Sequence, residues 1–79
     1  MPLYFFHLRD GHDVLLDPEG LELDGPDKIA AIALREARAI IGEDARAGTI
    51  AVEKYIDVED EAGAIVYRLR FGDAVRIVD

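Results

Sequence analysis

The stretch from Pro26 to Ala47, PDKIAAIALREARAIIGEDARA, constrains this chain most: it alone is long and periodic enough to specify a helix. What flanks it reads as short strands that must pack on it. Placed at 100° per residue, Ile29, Ala30, Ala33, Leu34, Ala37, Ile40 and Ile41 form a stripe about 140° wide, the width of a helix lying on a core. Lys28, Arg35, Arg38 and Arg46 fall on the other side. Ala, Leu, Arg and Glu are good helix formers. Pro26 suits the first turn, where its missing N–H has no intrahelical partner to lose. Asp24 or Asp27 is placed to accept from the free N–H groups there, and Gly48 is a natural stop.

Three residues break the pattern. Ile32 lies outside the stripe, near Glu36 and Glu43, and is expected to be exposed. Gly42 costs about 1 kcal/mol relative to Ala within a helix, so the helix is allowed to end there, with residues 43–47 as a separate turn. Asp44 falls inside the apolar stripe, which predicts a last turn overhanging the sheet with Asp44 in water.

Seventy-nine residues make one domain, 1–79. A chain this short buries only about 60 to 65% of its unfolded surface. It has no Cys, which removes disulfides and thiolate metal sites as sources of extra stability. Oligomerisation is the remaining remedy for a small core, and a homodimer is the expectation. No apolar run approaches the ~20 residues of a membrane span. MPLYFFHLRD has neither a basic leader nor a long apolar run, so the expected location is the cytoplasm, with no membrane contact. The net charge of −8 argues against general affinity for nucleic acid, which depends on Lys and Arg neutralising phosphates.

Before the helix, Leu3 to Arg9 is rich in strand formers. Tyr4, Phe6 and Leu8 share one face; Leu3, Phe5, His7 and Arg9 share the other, which is open to cover from outside the chain. Asp10-Gly11-His12-Asp13 reads as a turn into a return strand Val14-Leu15-Leu16. Asp17-Pro18-Glu19-Gly20 fits a type I turn, and Leu21-Glu22-Leu23 an extended lead into the helix.

Beyond Gly48, Lys54 to Glu59 and Ala64 to Phe71 alternate as strands joined by an Asp60-Glu61-Ala62-Gly63 loop. Setting Glu59 opposite Ala64 pairs Val58 with Ile65 and Ile56 with Tyr67 on the core side, and brings Asp57 and Glu59 near Arg68 and Arg70 on the other. Residues 72–78 fit a helical turn or a last short strand, with Asp73 a reasonable N-cap for the former. The expected fold is α+β in the order β-β-α-β-β, an antiparallel sheet with the long helix on one face.

YFFHLRDG, DPEG followed by an apolar residue, the ALREAR helix, YIDVEDEAG and RFGDAV together resemble a family of short bacterial proteins described only as a domain of unknown function. Tyr4 to Gly11, Asp17 to Gly20 and Asp57 to Gly63 carry the resemblance, over nearly the whole chain. These are strand and turn motifs, so the resemblance implies relatives and no catalytic residues. The layout of short strands, a Pro/Gly turn and an Ala- and Glu-rich helix is also similar to antitoxins of the HicB type; the C-terminal DNA-binding segment that many of those carry is absent.

Catalytic chemistry has little material. The chain has no Ser and no Cys, and one Thr, Thr49, so a Ser- or Cys-type triad is excluded. GHDVLLDPEG lacks the Lys and following helix of a phosphate loop. His7, Asp10, His12, Asp13, Asp17 and Glu19 cluster near the first turn, but their spacing matches no metal-site pattern, so a solvated loop is preferred and no metal or cofactor is expected. Asp57, Glu59 and Glu61 read as solvated carboxylates paired with Arg rather than as acid/base pairs. Arg68 and Arg70, beside Tyr55, form a basic strip that Asp57 and Glu59 are placed to neutralise.

The interaction candidates are therefore Leu3, Phe5 and Ile32 as exposed apolar groups, with Arg68 and Arg70 as the charged strip. The leading functional expectation is a non-enzymatic protein-interaction module binding itself or another protein. The alternative is an antitoxin-like or nucleic-acid-linked regulator.

Overall fold

The computed structural model describes residues 1–78. In chain order it holds strands β1 (Leu3–Asp10), β2 (Asp13–Leu15) and β3 (Leu21–Glu22), helix α1 (Ile29–Arg46), and strands β4 (Tyr55–Glu59) and β5 (Ile65–Arg70). The fold is α+β. Its antiparallel sheet runs β2-β1-β4-β5, and β3 lies beside β2 on the same edge of β1. The extended lead into the helix thus becomes a fifth, two-residue strand, pairing Leu21 with Tyr4 and Glu22 with Leu3.

The helix begins with a 3₁₀ turn, Pro26–Lys28, and continues unbroken through Gly42 to Arg46. Glycine's cost there is offset by the burial of Ile41 just before it and by the Asp44–Lys54 pair just after it. No side chain caps its start; Asp24 pairs with Lys28 instead, at 3.3 Å. Ile29, Ala33, Ala37 and Ile41 are the buried positions, every fourth residue. The two alanines are wholly inaccessible, so small side chains sit where helix and sheet come closest. Ala30, expected in the stripe, is exposed. Asp44 is not in open water: it is half-buried and pairs with Lys54 at 3.5 Å, so the last turn is tied to the start of β4.

The core joins these helix positions to Leu23, Ile56, Val58, Leu69, Phe71 and Ala74, with Tyr4, Phe6, Leu8 and Tyr67 packed around them. All the strand members belong to the face that alternation assigns to the interior.

The β4–β5 register differs from the expected one. Ile56 faces Leu69 and Val58 faces Tyr67, a shift of two residues that keeps these four side chains on the core face. The loop is the cause. Asp60 N–H donates to Ala64 O at 2.9 Å, Gly63 takes a φ of 87°, and Asp60 Oδ1 accepts from the N–H groups of Ala62 and Ala64. That closes a three-residue loop, and Glu59 then faces Ile65. An irregularity follows between Val58 and Glu59, with Val66 as the extra residue. It turns Ile65 away from the core side, and both Ile65 and Val66 are exposed.

The C-terminal segment resolves as a 3₁₀ turn, Phe71–Asp73, followed by irregular chain. Asp73 is not its N-cap. The turn is held by burial of Phe71 and Ala74 and by Arg38 Nε donating to Ala74 O at 2.8 Å.

Candidate functional site

Two surfaces carry the side chains that the core leaves over. The first is on the helix side. A sheet of four strands across, about 4.8 Å apart, is wider than one helix of about 10 Å diameter. Helix α1 packs on β4 and β5. The β1–β2–β3 half of the same face is left without a covering layer. There Phe6 and Leu8, with Leu15, Leu16 and Leu21 from the edge, face Ile32 and Ile40 of the helix across a cleft of about 530 Å³. Leu15 and Leu16 are 69% and 65% exposed. Only Asp17 and Glu36 bring charge to its walls.

Ile32 belongs to this cleft. It is half-buried and packs against the core, which corrects the expectation of a fully exposed side chain on a polar face. The helical wheel places it correctly beside Glu36, but the wheel has no knowledge of a sheet that reaches past the helix on that side. Leu15, Leu16 and Leu21 were missed as surface residues. The Val14-Leu15-Leu16 run was the available signal: apolar on both faces of a short strand, it has more apolar surface than one helix can cover.

The second surface is the sheet face turned away from the helix. Cross-strand pairing builds it as three rows: Phe5–Glu59–Ile65, His7–Asp57–Arg68 and Arg9–Tyr55–Arg70. Asp57 sits at its centre and is 0% exposed. Its cover is two guanidinium groups rather than a hydrophobic layer. Arg68 donates from Nε and Nη2 to the two Asp57 oxygens at 2.5 and 3.0 Å. Arg9 Nε stands 2.6 Å from Asp57 Oδ2, but its N–H is not aimed along that line, so the contact is an ion pair without an aligned hydrogen bond. Burial pushes the Asp57 carboxyl up; Arg68 and then Arg9 outweigh it and hold it below the ordinary aspartate range. The same pairing, together with Tyr55, raises the Arg68 guanidinium further above its ordinary value against slight desolvation. Arg68 also lies over the Tyr55 ring at 4.6 Å.

His7, a metal candidate by residue type, is a buried structural group. Its Nδ1 accepts the Asp17 N–H at 3.0 Å, and its Nε2 lies 3.2 Å from Glu59 Oε1, which places the ring proton on Nε2. The ring stacks on Phe5, with centroids 6.2 Å apart. Asp17 in turn accepts from the N–H groups of Phe6, Glu19 and Gly20, at 3.2, 3.2 and 3.1 Å. It thereby fills the gap in the β1 edge between β2 and β3. Burial raises the Asp17 carboxyl; the N–H groups of Gly20, Phe6 and Glu19 outweigh it, and it lies below its ordinary value. Among the described residues no group of three or more His, Cys, Asp or Glu is arranged to hold a metal ion.

The interaction candidates are thus separated. Ile32 lies on the cleft. Leu3 and Phe5 lie on the opposite face, half-buried, with Gly20 of the edge loop close against them. Arg68 is spent on Asp57, while Arg70 is exposed and forms no ion pair among the described residues. Glu59 was expected to neutralise the Arg strip; it is engaged with His7.

No helix among the described residues is long and apolar enough to cross a membrane. No curated protein and no solved structure matches the chain. One family does, over residues 3–72, across the strands, the edge loop and the helix that form both surfaces. The chain belongs to that family, the Domain of unknown function (DUF6894).

Proposed function

We propose that this chain is a small non-enzymatic protein-interaction module of the cytoplasm, and that its partner is a second copy of itself. The observation that carries the reading is the uncovered half of the helix-side face, where Leu15, Leu16 and Leu21 stand exposed around a cleft floored by Phe6 and Leu8. Contiguous apolar surface of this kind on a small domain marks a contact. A core limited by the length of the chain benefits from a second layer supplied in trans. The buried ionisable groups support a structural rather than a chemical role: Asp57 is matched to Arg9 and Arg68, and His7 to Asp17 and Glu59.

Sedimentation equilibrium over a wide dilution series tests the reading. The expected mass at high concentration is twice the 8.7 kDa of the chain, falling toward one chain on dilution. A single-chain mass throughout would contradict it.

A further inference from the structure

The cleft has one bank on α1, and the exposed strip of helix along that bank has an internal order. From Lys28 to Glu43 it consists of Lys28, Ile32, Arg35, Glu36, Ala39 and Glu43; Arg46, at the same angle on the wheel as Lys28, extends it at the C-terminal end. On the wheel these six fall within about 100° of one another, so they form one continuous ridge. Ile32 is half-buried and the other five are exposed. Among these six, both positive charges precede both negative ones. The arrangement is symmetric about the midpoint between Arg35 and Glu36: Lys28 and Glu43 lie equally far from it, and so do Ile32 and Ala39.

A two-fold axis through that midpoint, perpendicular to the helix, pairs the strip with itself antiparallel. Arg35 then meets Glu36 of the partner subunit, Lys28 meets Glu43 of the partner subunit, and Ile32 meets Ala39 of the partner subunit. Each of these four charges faces its opposite, as suits an isologous interface, and Arg46 falls opposite the uncharged Gly25 of the partner subunit. A parallel pairing would set like charges against each other. Ala39, small and opposite Ile32 of the partner subunit, allows the close approach of about 8 to 10 Å at which helices pack. The charges are also available. Among the described residues Arg35, Glu36 and Glu43 form no ion pair, and Lys28 has only the exposed contact with Asp24.

We propose that two copies associate through α1, antiparallel about a two-fold axis between Arg35 and Glu36, the helix of each lying along the mouth of the other's cleft. This rests on the homodimer reading above and assigns its surface and register.

Charge exchange tests the assignment. Arg35→Glu makes the centre of the strip wholly acidic, and Glu36→Arg makes it wholly basic. Each variant alone opposes like charges twice across the axis, so each is expected to dimerise about tenfold more weakly than the wild type. Mixed together, the two restore opposite charges at both contacts and should form a heterodimer of wild-type affinity. The double variant Arg35→Glu/Glu36→Arg should recover by itself. Both positions are exposed, and circular dichroism checks that each variant stays folded. Sedimentation of the singles, the mixture and the double variant gives the result. A dimeric wild type whose single variants dimerise equally well overturns the α1 pairing and leaves the homodimer reading standing. Weakened singles that fail to recover on mixing overturn the register in the same way. A wild type that remains a single chain at all concentrations overturns the homodimer reading itself, and the pairing with it.

Discussion

Gly20 shows how closely one position is determined. Its φ is +74°, and a Cβ there would lie 2.9 Å from Phe5 Cε1 and 3.0 Å from Leu3 Cγ. Backbone and space both exclude a side chain. Gly20→Ala should therefore cost about 2 kcal/mol, read as a lower urea midpoint at unchanged slope. Asp57 is the second such position. Its carboxyl lies below the ordinary aspartate value of 3.8, so it contributes stability that is present above that value and lost as pH falls through its lowered one. Asp17 acts in the same direction. Stability should be flat near neutral pH and decline below the ordinary aspartate value. Asp57→Asn should cost about 2 kcal/mol at neutral pH, leaving two guanidinium groups without their counter-charge, and should flatten that acid decline. Urea titrations of both proteins across the acid range check this. At this scale the sequence was informative about pairing type but not about partner. Asp57 beside Arg68 follows from strand alternation; Glu59 with His7 and Asp17 with the β1 edge do not, since both depend on which strand neighbours β1.

At the scale of elements, local pattern carried most of the outcome. The helix, the β1–β2 hairpin, the face of every core strand residue and the α+β class all follow from periodicity. The misreadings have local physical causes. A three-residue loop with Gly63 at positive φ, followed by the extra residue Val66, moved the β4–β5 register by two, preserving the faces from Tyr67 onward and turning Ile65 off the core side. Gly42 did not end the helix, because Ile41 just before it is held in the core and Asp44 in the turn after it is held on Lys54. Gly42 therefore carries a removable cost. An added Cβ meets nothing within 4 Å, so Gly42→Ala should stabilise the protein by about 0.5 to 1 kcal/mol, seen as a raised Tm.

For the whole molecule, the decisive fact is a mismatch of widths: one helix over a sheet wide enough for two. That mismatch was not legible beforehand, because it depends on the order β2-β1-β4-β5 and on α1 settling over β4 and β5. Ile32 could be singled out on the wheel, yet the leucines across the cleft from it could not be placed there. The proposed homodimer joins an apolar cleft at the edge of a small core to the charged strip along α1. Ile32 stands where cleft and strip meet. The most direct measurement is the solution mass of the wild type beside Ile32→Glu, by light scattering at matched concentration. The wild type should have twice the chain mass, and the variant, folded by circular dichroism, the mass of a single chain. Equal masses for the two proteins would contradict the account.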